Sequence, residues 1–168
     1  MTTTTPYTFP ERPRRATPAE VAKQVRADLA LAFPGVKFSV RSESRGTSSV
    51  SVHWIDGPTT QRVDDIVDRY QMGDFDGWDD SYNYRAEREI RAGVEYSVRW
   101  MKTQRHMSDT AATRFMALIQ QYRGDLDGKP FYEIENLAWR EFVKWDGYAD
   151  ALPETTDDLP SAREWRMR

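Results

Sequence analysis

The chain has 168 residues, no cysteine, two histidines and a formal net charge of −3. Its length suits one domain, and the missing cysteines exclude disulfide scaffolds, thiolate metal centres and cysteine nucleophiles. No run approaches 18 apolar residues, and the first residues, MTTTTPYTFPERPRR, lack the apolar stretch of a secretory signal, so no membrane partner and a cytoplasmic location are expected.

Residues 1–16, rich in Thr, Pro and Arg, predict a flexible arm. Thr17-Pro18-Ala19-Glu20 then reads as a helix start, with an N-cap, a proline in the first turn and a glutamate three residues after the cap. Ala22, Val25, Leu29 and Ala32 follow at helical spacing, and Pro34-Gly35 stops the run. Lys37–Ser42 and Ser49–Ile55 alternate around a polar turn and predict a β-hairpin. Its buried face would carry Phe38, Val40, Val50, Val52 and Trp54. Asp56-Gly57-Pro58 ends the second strand, and Thr59 or Thr60 caps a helix to about Tyr70 with Val63, Ile66 and Val67 on its apolar stripe.

Met72–Asp80 reads as a loop, and Ser81–Ile90 carries no clear period. Gly93–Gln104 alternates, with Val94, Tyr96, Val98 and Trp100 expected on the core side. Ser108 caps a helix with Phe115, Leu118, Ile119 and Tyr122 as its stripe, ended by Gly124. A last helix is expected from about Phe131 to Trp145, then an acidic tail over residues 149–168, pinned by Trp165. The prediction is an α+β fold of order α-β-β-α-β-α-α. It has a small antiparallel three-stranded sheet with one face covered by helices, in one domain spanning 17–148.

The net charge conceals separate blocks. Residues 64–80 carry seven aspartates against Arg69, whereas residues 85–123 carry eight bases against four acids. Sheet parity would place Lys37, Arg41, His53, Arg99 and Met101 opposite the core, on a polar, mildly basic face. Arginine and hydroxyl donors on such a face suit phosphate groups. Lys102 and Arg105 beside the Ser108 cap extend the same anion-binding reading. A solvated sheet face fits these residues too.

Asp76, Asp79 and Asp80, with Asp56 as a separated partner, are candidate ligands for a divalent cation. The alternative is an Asp-Gly turn whose carboxylates bond the backbone, with Phe75 and Trp78 plugging the core. No phosphate loop, nucleophile elbow or zinc pattern occurs, so no cofactor is expected.

Four stretches form a set: AFPGVKFSVRS (Ala32–Ser42), VSVHWIDGPT (Val50–Thr59), FDGWDD (Phe75–Asp80) and TQRHMS (Thr103–Ser108). In these the chain resembles the large polyvalent-protein-associated domain family, number 29 of that series, over about residues 18–120. Trp78 stands where that family tends to have methionine. The resemblance implies a mobile-element setting, in proteins of phages and conjugative elements that travel with DNA, and so the cytoplasm of a host cell. It carries no established catalytic activity.

The reading that follows is a non-enzymatic accessory binding protein. It would contact nucleic acid, or a host protein that handles nucleic acid or defence, through Lys37, Arg41, His53, Arg99, Lys102 and Arg105. One alternative is a metal-dependent enzyme acting on nucleic acid or nucleotides through the aspartates. Another is a structural interaction module, oligomeric through a sheet edge or an aromatic patch.

Overall fold

A computed structural model describes residues 12–43, 48–122 and 130–161. The first helix, α1 (Pro18–Ala32), starts as its sequence predicts. Thr17 Oγ1 accepts from the Glu20 amide at 3.3 Å while Glu20 Oε2 accepts from the Thr17 amide at 2.8 Å. The segment before it is not all loose. Arg14–Arg15 form β1, which runs parallel to β7 (Val94–Glu95), and Ala16 joins the core. Residues 1–11 of the expected arm lie outside the described residues.

The main sheet has the order β2 (Ser39–Glu43), β3 (Ser49–Ile55), β8 (Trp100–His106). The β2–β3 pairing is antiparallel, as expected. The β3–β8 pairing is parallel, so the sheet is mixed. The chain between them is long enough for a crossover and carries α2 (Thr60–Val67), capped by Thr59, across to β8. Val50 and Val52 are fully buried, with Trp54 only 2% exposed, beneath α1 and α2.

Two expectations change between these strands. The stretch read as a loop forms β4 (Gly73–Asp76), paired with β5 (Ser81–Tyr84) in a hairpin. The single strand expected over Gly93–Gln104 is two. β7 pairs with β1 and with β6 (Ile90–Arg91), and β8 restarts at Trp100 after Val98 bridges to Gln71. The restart reverses the expected parity. Trp100 now stands on the outer face, against Tyr82 and Phe75 of the hairpin, and Met101 packs on the core.

The chain then forms α3 (Asp109–Tyr122) and α4 (Phe131–Lys144), which build a second apolar cluster. Phe115, Leu118 and Ile119 meet Ile134, Ala138, Phe142 and Trp145 there. Gly124 and Trp165 lie outside the described residues. Within the described residues the tail from 149 to 161 is tied to the fold. Leu159 is buried in this cluster, and the Ser161 amide donates to buried Glu141 at 2.7 Å. Among the described residues, no helix is long and apolar enough to cross a membrane.

Arg105 joins the two clusters. Its Nε donates to the Asp56 carbonyl at 2.8 Å and its two terminal nitrogens to the carbonyls of Gly57 and Phe142, each at 3.0 Å. The guanidinium carbon lies 4.1 Å from the Phe142 ring centroid and 5.6 Å from that of Trp145. Burial pulls its pKa down to about 10, partly offset by Asp56 and Asp146, so it stays charged at neutral pH. The fork geometry is specific to arginine. Arg105→Lys and Arg105→Ala are therefore expected to lose about 2–4 kcal/mol of unfolding free energy, read from urea unfolding, with lysine failing to rescue.

On the opposite flank, Asp28 accepts from Arg91 at 3.0 Å, from the Tyr70 hydroxyl at 2.6 Å and from Gln24 at 3.0 Å. Burial pushes its pKa up, but these donors outweigh burial and hold the carboxyl down at about 2. The native state therefore binds this proton less readily than the unfolded chain. The stabilisation is complete above the ordinary aspartate pKa of about 3.9 and is lost as pH falls toward 2. Asp28→Asn is expected to cost about 1–2 kcal/mol at pH 7 and to flatten the stability profile between pH 4 and 2, measured by urea titration across that range.

Candidate functional site

The outer face of the main sheet is set by strand alternation. Val40, Val50, Val52, Trp54 and Arg105 point inward and are buried. Ser39, Arg41, Ser51, His53, Lys102, Gln104 and His106 therefore share the other face. Register arranges them in rows across the strands. Arg41 lies beside Ser51, and Ser51 beside Lys102. Ser39, His53 and Gln104 form the next row, and Ile55 beside His106 the one after. Neighbouring strands lie about 4.8 Å apart, so Arg41 and Lys102 flank Ser51 at about 10 Å.

The face differs along its length. At one end, Arg99 lies over the rings of Tyr82 and Trp100, 5.1 and 5.6 Å from their centroids. At the other, His53 Nδ1 and His106 Nε2 are 3.5 Å apart with their rings stacked. Beside that pair opens a groove of about 610 Å³ with Val36, Trp54 and Ile55 in its walls and Lys37 at its rim.

Unpaired cations are gathered on this face, although among the described residues Lys23, Arg26, Arg114 and Arg140 elsewhere also lack a carboxylate partner. Arg14, Arg15, Arg62, Arg69, Arg85, Arg88 and Arg91 all pair with carboxylates. Among the described residues, Lys37, Arg41, Arg99 and Lys102 pair with none. The acid on the sheet's outer face is Glu43, in the row of Ser49 and Trp100.

The structure thus brings together five of the six sequence-chosen basic residues along one surface: Lys37, Arg41, His53, Arg99 and Lys102. Arg105 does not belong with them. It is 7% exposed and faces the core, because the broken strand shifts the alternation by one residue. The same shift brings in His106 and Gln104, neither of which is among those six. Their signal was present in the alternation of Lys102, Gln104 and His106 with Thr103 and Arg105, hidden by starting the strand at Gly93.

The aspartates do not converge. Asp56 Oδ1 accepts from the Ser108 amide at 3.0 Å, and Ser108 Oγ accepts from the Ala111 amide, so both serve the start of α3. Asp76 Oδ1 accepts from the Trp78 amide and Asp79 Oδ1 from the Ser81 amide, which shapes the β4–β5 turn. Hydrogen bonds from Ser81 hold the Asp79 carboxyl below the ordinary carboxylate range. Asp80 completes the turn with φ 55°. Among the described residues, no three His, Cys, Asp or Glu side chains are grouped to hold a metal ion. The turn keeps Trp78 out of the core, at 97% exposure, instead of plugging it.

Each stretch of the sequence set now has a physical place. Phe38 and Trp54 pack together with ring centroids 5.8 Å apart, and the Trp54 indole donates to the Pro58 carbonyl at 2.9 Å. Asp56, Gly57, Arg105 and Ser108 form one junction, and the FDGWDD stretch makes a hairpin tip.

The family model described as large polyvalent protein associated domain 29 matches residues 16–115, from the end of β1 into α3. No curated protein and no solved structure matches the chain. The match spans more than half of the chain and takes in all four stretches. The protein belongs to the large polyvalent protein associated domain 29 family.

Proposed function

We propose that this module is a non-enzymatic accessory binding protein of a phage or related mobile element, and that it binds the phosphodiester backbone of nucleic acid. Lys37, Arg41, Arg99 and Lys102 are the contacts, with His53 and His106 between them. The observation that carries the reading is the contrast in pairing. Seven arginines elsewhere on the domain are spent on carboxylates, while these four cations, gathered on one sheet face, have none. Their charge is available to a polyanion, and Ser39, Ser51 and Gln104 supply neutral donors to phosphate oxygens between them.

The rows from Arg41 to His106 carry no Phe, Tyr or Trp, and the exposed rings of Phe75, Trp78 and Tyr84 lie on the hairpin beyond Trp100, so the contact in those rows reads backbone charge and carries little sequence preference. Catalysis on nucleic acid through Asp56, Asp76, Asp79 and Asp80 draws no support from their placement, since each is committed to a turn or to a helix start. The family setting supports the location of such a module in a host cell carrying a mobile element.

Fluorescence anisotropy with labelled duplex DNA, single-stranded DNA and RNA tests the reading across a salt series. Two to four phosphate contacts give a log–log salt slope of about −2 to −4 on duplex DNA. Arg41→Ala with Lys102→Ala is expected to weaken binding at least about tenfold and make the slope shallower by about 2, with unchanged thermal unfolding because both side chains are exposed. Salt-independent binding, or full binding by the double variant, would overturn it. Absence of binding to all three probes would turn the reading to an acidic host protein.

A further inference from the structure

The β4–β5 hairpin and the groove beside the histidine pair are complementary. Trp78 stands at the hairpin tip with 97% of its surface exposed. It is held there by two side-chain-to-amide bonds, Asp76 to its own amide at 2.9 Å and Asp79 to the Ser81 amide at 3.0 Å. The backbone that presents the indole is fixed in this way, so docking orders only the ring's own two torsions, which favours its use as an anchor. Asp76, Asp79 and Asp80 surround it, and the hairpin from Gly73 to Tyr84 contains no lysine or arginine.

The groove has the converse character. Val36, Trp54 and Ile55 wall about 610 Å³, and Lys37, His53 and His106 stand at its edge. Ile55 is 63% exposed there. The space admits an indole, and Lys37 sets a positive charge at its rim where the knob is acidic.

The hairpin does not fill the groove of its own chain. Its rings pack on Trp100, in the row of Ser49, while the groove adjoins Ile55 and His106 at the far end of the same strands. Six residues along a strand separate those rows by about 20 Å.

We infer that Trp78 of one copy docks in the Val36–Trp54–Ile55 groove of a second copy, with Asp76, Asp79 and Asp80 against Lys37. Donor and acceptor are different patches, so the contact is head-to-tail and each dimer keeps one unused knob and one unused groove. One anchor covers far less than the roughly 1,200–2,000 Å² of a stable specific interface. The association is therefore weak and concentration-dependent, and grows into short open chains. The inference stands apart from nucleic-acid binding, although Lys37 and His53 lie on both surfaces and a bound polyanion would compete with the knob.

Sedimentation velocity of the full chain, from micromolar to millimolar protein at low salt, provides the test. The weight-average sedimentation coefficient is expected to rise with concentration and to fall back as salt is added. Trp78→Ala and Lys37→Glu should each remain monomeric. An equimolar mixture of the two should form a dimer that grows no further, because one supplies an intact groove and the other an intact knob. Both side chains are exposed, and circular dichroism confirms that the variants are folded. A coefficient constant with concentration, self-association by Trp78→Ala equal to that of the unaltered chain, or no dimer in the mixture would overturn the inference. Trp78→Ala should retain full affinity for DNA, which separates failure of this contact from failure of the nucleic-acid reading.

Discussion

A buried positive charge without a carboxylate partner organises this molecule. Arg105 is held by three backbone carbonyls and the faces of two aromatic rings. Carbonyl dipoles compensate the lost hydration only if they point at the guanidinium, and the Asp56-Gly57 turn makes them do so. Both residues adopt left-handed backbone angles, φ 50° and 57°. Aspartate tolerates this region and glycine favours it. Asp56 then serves twice, its carbonyl accepting from Arg105 and its carboxylate from the Ser108 amide. Strand end, turn and helix start become one polar junction inside an otherwise apolar seam.

The surface proposed for function follows from that burial. Alternation in β8 means that an inward Arg105 sends Lys102, Gln104 and His106 outward, and parallel pairing lays them beside Ser51, His53 and Ile55. A slip of one residue would expose Arg105 and bury Lys102, exchanging an ion stabilised by fixed dipoles for one with none. Register and surface charge are thus fixed by the same residue. The remaining charge is sorted by flank. Asp28, Asp68, Asp74 and Glu95 neutralise Arg69, Arg85, Arg88 and Arg91 on the side away from this face.

Much of this was legible in the sequence where local rules decide. The Thr17, Thr59 and Ser108 caps and the α3 and α4 stripes depend on neighbours within a few residues, and the Phe38–Trp54 pairing on a hairpin whose two strands are consecutive in the chain. The misread parts depend on distant ones. Gly93–Gln104 alternates without a visible break, but Val98 bonds to Tyr70 and leaves the strand there. Phe75-Asp76-Gly77-Trp78 looks like core aromatics around a turn. The hairpin forms because Tyr82 reaches the Gly73 and Arg99 carbonyls, and it directs Trp78 outward. Arginine is read by default as a surface residue, and nothing adjacent to Arg105 announces that Phe142 and Trp145 will cover it.

The position of those two rings bears on what the family segment is in this chain. The matched region ends at Phe115, inside α3. Phe115 packs edge-on against both Phe142 and Trp145, at 6.4 and 5.7 Å between centroids. The same two rings cover Arg105, and the Phe142 carbonyl supplies its third acceptor. The segment therefore ends with an arginine and a phenylalanine whose partners lie on α4, more than 25 residues further along. Without α4 the guanidinium would keep two of its three carbonyls and lose both aromatic faces, and one side of α3 would be bare. In this protein α4 completes the core of the family segment, so the limit of the sequence match is not the limit of the folded unit.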